Sequence, residues 1–435
     1  MFRCGRGGHR HEGVRSFSPA GCRTPGVRTG GIRRRHDCFF KAGVFTVRKA
    51  AILLLCFSLA LLFAVPAGAA PGRLTGFPAA GQAGQPVRLL WQLAGLGRPS
   101  ADMLMGTNGL LYLPEGNKLT AVNTDGRPVW EAPLAVGNQT GRPVFGPAGS
   151  IFMSGNAAVQ EIKTSGAAGW SFQVYQGAGG GNTAALLCGG PGDGLLYLPL
   201  PDALYALNVA GRYKWALLSW NAAGGYTTKT LSGQEILDCA GDSGGVYVIY
   251  GRRGDNYTLA AIDAAGNIRW TRPLGDVKSA HLFAGGDGRL YVTVNPAQPG
   301  RIQKSTVYAF DPAGDGQPEW SFRVNYDDLT TPALSAAGVL YVCDSKRLYA
   351  LDARDGTEKW DLQLLNITSE PVVDDTHNLV YVGSRDGYVF ALDASGKTAW
   401  ERKLDGAVSR RPLVGADGYL YVITDRGSLY KLAPA

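Results

Sequence analysis

The chain has 435 residues and a formal net charge of +8. The positive charge is local: residues 1–50 hold 12 Lys and Arg against 2 acids, so they carry +10 and the rest of the chain carries −2. With no basic stripe interleaved with stacking aromatics beyond that point, the main body does not read as a nucleic-acid-binding protein.

Residues 1–43 are rich in Arg and Gly and show no hydrophobic periodicity. They read as a disordered basic tail, or as an upstream extension of a chain that begins near Val44 or Val47. Residues 44–70 read as a signal peptide. Arg48-Lys49 precedes the apolar run ILLLCFSLALLFAV at 52–65, and Ala67-Gly68-Ala69-Ala70 supplies a cleavage site. The run is short for a membrane span, so membrane contact is expected only through an uncleaved anchor. Leu55 before Cys56, and the apolar run beyond it, argue against lipidation at that cysteine. Residues 71–86 read as a linker. The mature protein is then exported, to periplasm, cell surface or medium, and is expected to be a monomer.

From residue 87 the chain repeats. Trp91, Trp130, Trp170, Trp215, Trp270, Trp320, Trp360 and Trp400 follow one another at intervals of 39, 40, 45, 55, 50, 40 and 40 residues. A period of this size marks a repeat architecture. The first Trp strand, VRLLWQL at 87–93, has no strands of its own before it. Each later unit supplies a short apolar run, then a strand such as LYV around Tyr112, Phe152, Tyr197, Tyr247, Tyr291, Tyr341, Tyr381 or Tyr421. A third strand such as LYALD and a Gly turn lead to the Trp strand. Alternating β-branched and aromatic residues favour half-buried strands, and Asp-Gly steps at Asp125, Asp287, Asp355 and Asp417 favour hairpin turns. The last unit stops before its Trp strand, so the first Trp strand can complete it. The prediction is an all-β, eight-bladed β-propeller of four-stranded antiparallel blades over residues 87–435, its last blade closed by the N-terminal strand.

The segments LYVCDSKRLYALDARDGTEKW (340–360) and VYVGSRDGYVFALDASGKTAW (380–400) carry the pattern V-Y-V-x-x-x-D-G-x-L-Y-A-L-D-A-x-x-G-x-x-x-W. In this the chain resembles the pyrroloquinoline-quinone (PQQ) repeat family, over about residues 87–432. The resemblance implies that the eight repeated Trp pack between blades. It also implies one of two branches: quinoprotein dehydrogenases, or non-catalytic propellers of envelope assembly. The dehydrogenases typically hold their cofactor against a disulfide of adjacent cysteines. Here Cys188, Cys239 and Cys343 are separate and read as thiols.

Other chemistry is sparse. Past the leader the only histidines are His281 and His377, too few for a metal site or triad of histidines. GDSGG at 241–245 occupies the place of a blade hairpin and reads as a turn. The expected function is therefore a non-catalytic scaffold that binds a protein partner on its loop face, with no enzyme activity, metal or cofactor. The alternatives are a PQQ- and Ca²⁺-dependent dehydrogenase and a small-ligand or polysaccharide binder. Insertions at 175–182, 219–234, 250–256 and 295–305 fall on the face shared by second-to-third-strand loops and blade-to-blade connections, where ordered loops commonly bind. Trp220, out of phase with the repeat, is the candidate binding aromatic with Tyr226 and Tyr257. A second candidate is an arc of cations at matching blade starts, Arg98, Arg142 and Arg411 with Arg410, expected near one mouth of the channel to attract anions. Glu370 and Asp327-Asp328 lie on the opposite arc.

Overall fold

The computed structural model describes residues 74–75, 87–135, 141–146, 149–155, 158–173, 188–189, 194–200, 203–217, 235–297, 304–324 and 328–434. These form eight antiparallel sheets arranged as an eight-bladed β-propeller, with no helix among the described residues. Blades 1 to 7 run over residues 104–133, 144–173, 188–217, 235–275, 277–324, 333–363 and 372–403. Each is a meander of inner, second, third and outer strands. Blade 8 takes its inner three strands from 413–433 and its outer strand from Arg88–Leu93. Leu89 pairs with Leu432 and Leu93 with Leu429, which closes the ring. Two residues of the segment read as a linker, Leu74–Thr75, add a fifth strand by pairing with Leu93 and Gln92.

The apolar alternation of each strand is spent between blades. Eight buried clusters each draw on two neighbouring blades. Leu119, Ile151 and Met153 meet at the junction of blades 1 and 2, and Val389, Trp400 and Leu432 at the junction of blades 7 and 8. The second-strand tyrosines are buried, and several hydroxyls donate to an acid in the preceding turn, as Tyr291 does to Asp287 at 2.6 Å and Tyr421 to Asp417 at 2.6 Å. Tyr247 donates in the same way to Asp242 at 2.6 Å, which makes the GDSGG segment a turn.

The repeated Trp has a specific task. Its indole N–H donates to a carbonyl in the third-to-outer turn of the next blade: Trp91 to Thr124 at 2.9 Å, Trp130 to Thr164 at 3.0 Å, and so on to Trp360 with Ala394 at 2.9 Å. The same turn carries a glycine under the indole ring. At Gly356 an added Cβ would lie 2.5 Å from Trp320 Cε3, and the residue has φ +73°. This is the physical content of the Gly-to-Trp spacing in the sequence. A one-residue bulge beside the Trp recurs in every blade and twists the outer strand. Trp400 is the exception in bonding. Its N–H is buried and finds no acceptor among the described residues, because blade 8 has no third-to-outer turn to offer one.

Val87 and Leu93 of the closing segment are fully buried, whereas Leu89, Leu90 and Trp91 are only partly so. Cys239 and Cys343 form no disulfide, and Cys343 is buried. The side chain of Cys188 lies outside the described residues.

Candidate interaction site at the channel mouth

Strand register aligns one residue from each inner strand. Leu104, Val144, Ala240, Phe283, Ala333, Val372 and Leu413 each pair with the marker aromatic of the second strand: Tyr112, Phe152, Tyr247, Tyr291, Tyr341, Tyr381 and Tyr421. Two residues upstream in each case stand Asp102, Arg142, Asp238, His281, Thr331, Glu370 and Arg411. The equivalent in blade 3, Leu186, lies outside the described residues. Seven blades thus contribute a polar or charged residue at one level, where the inner strands begin.

These side chains converge. Arg142 of blade 2 donates from Nη2 to Glu370 Oε1 of blade 7, and its Nε lies 3.9 Å from Asp102 Oδ2 of blade 1. Thr331 of blade 6 donates to the same Oε1 at 2.6 Å. Arg411 of blade 8 approaches Glu370 Oε2 at 4.0 Å, and its backbone N–H donates to Asp102 Oδ1 at 3.2 Å. Asp238 accepts backbone N–H groups from Cys239 and, in blade 5, Leu282, both at 2.8 Å.

The charges perturb one another. Desolvation acts against the Arg142 guanidinium, but Glu370, Asp102 and Asp238 outweigh it and raise its pKa. Burial acts to raise Glu370, yet Arg142, the Thr331 hydroxyl, Arg411 and His281 hold it below the ordinary glutamate value. At Asp238 burial wins over Arg142 and His281, so its carboxyl is pushed up. The difference follows from geometry: Glu370 touches a guanidinium directly, whereas the hydrogen bonds of Asp238 come from the backbone.

The arginine arc is corrected in part: Arg142 and Arg411 stand at matching positions, but register puts Asp102, not Arg98, at that level in blade 1, and the cations form no open patch. Arg142 and Arg411 are engaged by Glu370 and Asp102. Arg410 Nη2 donates to the Pro99 carbonyl at 3.2 Å, and Arg98, with a side chain 78% exposed, lies 3.7 Å from Asp425 Oδ2. Carboxylates engage Arg98, Arg142 and Arg411, which the sequence reading left unpaired, whereas Arg410 bonds a backbone carbonyl. Asp328 pairs instead with Lys278, and Asp327 lies outside the described residues. Asp102, Asp238, His281 and Thr331 were missed. Thr331 could have been found from its X-Pro step, shared with Arg142, Glu370 and Arg411; the other three lack the proline.

The aromatic candidates fare differently. Trp220 and Tyr226 lie outside the described residues. Tyr257 is corrected: it is 1% exposed and packed in the core between blades 4 and 5, so it offers no binding surface. It begins the third strand and belongs to the buried cluster that includes Val277 and Val294, a burial that its place beside an insertion concealed. On the same face, a cleft of about 180 Å³ between blades 4 and 5 is lined by Asp276, Val294, Lys304, Thr306, Tyr308 and Arg323.

A family model described as outer membrane protein assembly factor BamB matches residues 255–407 and 363–435. The findings agree with a PQQ-like propeller nearer the assembly-factor branch. A curated relative, the outer membrane protein assembly factor BamB of Yersinia pestis, is 28% identical over 145 residues, 30% of this chain. The matched segment spans 37% of that relative's length. The crystal structure of BamB from Moraxella catarrhalis superposes with a TM-score of 0.56 at 15% identity, covering 80% of this chain and 99% of that one. At that identity the likeness concerns the fold.

The resemblance implies that the quinone of the dehydrogenase branch lies in a flat slot at the channel mouth, typically against a disulfide of adjacent cysteines. In this propeller the Arg142–Glu370 pair crosses the mouth, and Cys239 and Cys343 sit in different blades. The described residues do not fit that group. Among them, no cluster of three or more His, Cys, Asp or Glu is placed to hold a metal ion.

Proposed function

We propose that this chain is an exported, non-catalytic propeller that serves as a protein-binding scaffold in the assembly of outer-membrane proteins. The observation that carries this reading is the match of residues 255–435 to a family model described as outer membrane protein assembly factor BamB, with a curated BamB relative 28% identical over 145 residues and a fold shared with a crystal structure of BamB. The charged leader and apolar run at 48–65 support export. Binding is assigned to the face that carries the inserted loops and the channel mouth. There Trp220 and Tyr226 of the 219–234 insertion supply aromatic anchors, and Arg98 supplies an exposed cation. Aromatic and Arg residues dominate interfaces more often than other types.

The test is deletion of the gene in its own host, followed by quantification of folded, heat-modifiable barrel proteins in the envelope. The reading expects a fall that is restored by the intact chain and not by one lacking residues 44–70. Unchanged barrel levels would overturn the assembly role, and full rescue by the unexported chain would overturn export. Dye-linked alcohol oxidation by the purified chain with PQQ and Ca²⁺ would overturn the non-catalytic assignment.

A further inference from the structure

At the channel mouth the Arg142 guanidinium lies among acids from several blades, with Arg411 at the edge of the group, 4.0 Å from Glu370. We propose that this mouth is an arginine-binding site filled by the chain's own Arg142, and that the filled site latches the propeller ring across its seam.

The seam is blade 8, where strands from far apart in the chain meet. Blades 7, 8, 1 and 2 follow one another around the ring, and the network touches all four. Arg142 of blade 2 donates to Glu370 of blade 7, 228 residues away in sequence, and so passes over blades 8 and 1. Asp102 of blade 1 holds the Arg411 backbone of blade 8 with one oxygen and faces Arg142 Nε with the other. The outer-strand pairing of Arg88–Leu93 closes the seam at the rim. Arg142 closes it at the axis.

The site selects a planar cation. Its acids approach different edges of the guanidinium, Glu370 at Nη2 and Asp102 near Nε, with Asp238 acting through space. An ammonium is a point charge and cannot serve separated carboxylates in this way. Glu370 is preset by the Thr331 hydroxyl at 2.6 Å, and its Oε2 is buried without a hydrogen-bond donor among the described residues. The cup is thus built for positive charge before the cation arrives. Glu370 and Asp102 keep side-chain exposures of only 16%, so removing Arg142 leaves both acids poorly hydrated, with only the more distant Arg411 guanidinium, 4.0 Å from Glu370, to offset their charge.

The experiment uses the full chain with Arg142→Ala and methylguanidinium as the probe. The substitution is expected to lower the melting temperature by roughly 2–4 °C and to speed hydrogen exchange in residues 88–93 and 413–433 relative to blades 4 and 5. Methylguanidinium, at low millimolar concentration where it does not denature, is expected to bind Arg142→Ala saturably with a Kd of roughly 1 mM and to restore its melting temperature. It should not stabilise the wild-type chain. Methylammonium or sodium chloride should restore less than half as much. Glu370→Gln added to Arg142→Ala should abolish binding. Wild-type melting and seam exchange in Arg142→Ala, equal rescue by methylammonium, or binding that survives Glu370→Gln would each overturn the proposal. Should Arg142→Ala not fold, Arg142→Lys, which keeps the charge without the planar fork, is the second variant. Faster exchange confined to the seam supports the latch, and exchange that is unchanged or rises equally in all blades refutes it.

Discussion

Gly356→Ala tests whether the glycine in each third-to-outer turn exists for the neighbouring Trp. Two effects are superposed at this position. The backbone has φ +73°, and a Cβ would lie 2.5 Å from Trp320 Cε3 and 2.8 Å from Cδ2. Trp320 is 8% exposed and tethered through its N–H to the Ala353 carbonyl at 3.0 Å, so the ring has little room to retreat. Gly338 in the same blade isolates the first effect, because its φ is +74° and an added Cβ there meets nothing within 4 Å. The backbone cost is about 1–2 kcal/mol for either alanine. Overpacking adds about 1–3 kcal/mol at Gly356 alone. The difference in melting temperature between the two variants should therefore reach roughly 2–6 °C by differential scanning fluorimetry, with urea unfolding giving the same order. In a Trp320→Leu background the excess cost of Gly356→Ala should vanish, since the cycle removes the shared contact. Equal losses for Gly338→Ala and Gly356→Ala would refute the assignment of these glycines to blade packing.

Other expectations follow from single contacts. Trp91→Ala should cost about 2–4 kcal/mol in urea unfolding, at the lower end for a large aromatic because the ring is only partly buried; no change would contradict ring closure by the N-terminal strand. Cys343, its thiol pushed up to about 12 by burial, should resist alkylation at pH 8 in the native protein and react on unfolding, as mass spectrometry would show. The folded Glu370 carboxyl lies below its ordinary value of 4.5, so its contribution is present above the unfolded value and is lost as pH falls through the folded one. Melting between pH 6 and 3 should accordingly fall more steeply for the wild type than for Glu370→Gln. Trp220→Ala should leave melting nearly unchanged while weakening cross-linking to the proposed protein partner; undiminished cross-linking would remove the inserted loop from the proposed interface.

The fold was legible because its signals are local and repeated. Each Trp, each LYALD-like strand and each Gly turn recurs in phase, and the two partial units at 87–93 and 410–432 fit only if the ring closes. The site was half legible. Arg142 and Arg411 stood out through the proline that follows them, but Glu370, expected on the opposite arc, leads blade 7 beside blade 8 and bonds Arg142. That Glu370 reaches Arg142 depends on the width of the channel, which no local pattern encodes. Asp238 and His281 sit in the long inner strands of blades 4 and 5, where register shifts at Ile236/Asp238 and Val277/Ser279 move the alignment by one residue. Tyr257 misled for a related reason. Proximity to an insertion says nothing about which side of the strand an aromatic takes, and here it takes the core.

The orphaned N–H of Trp400 gives the ring an origin. Bonds from Trp to the next blade run in one direction, from Trp91 to Trp360, and the succession stops where blade 8 lacks its turn. That gap belongs to the order of the chain and not to the geometry of the blade. A circular permutant in which a short turn joins residue 433 to residue 88, and the chain is reopened between 353 and 357, would give Trp400 a carbonyl and take one from Trp320. The vacancy would travel with the termini while the eight blades stayed where they are.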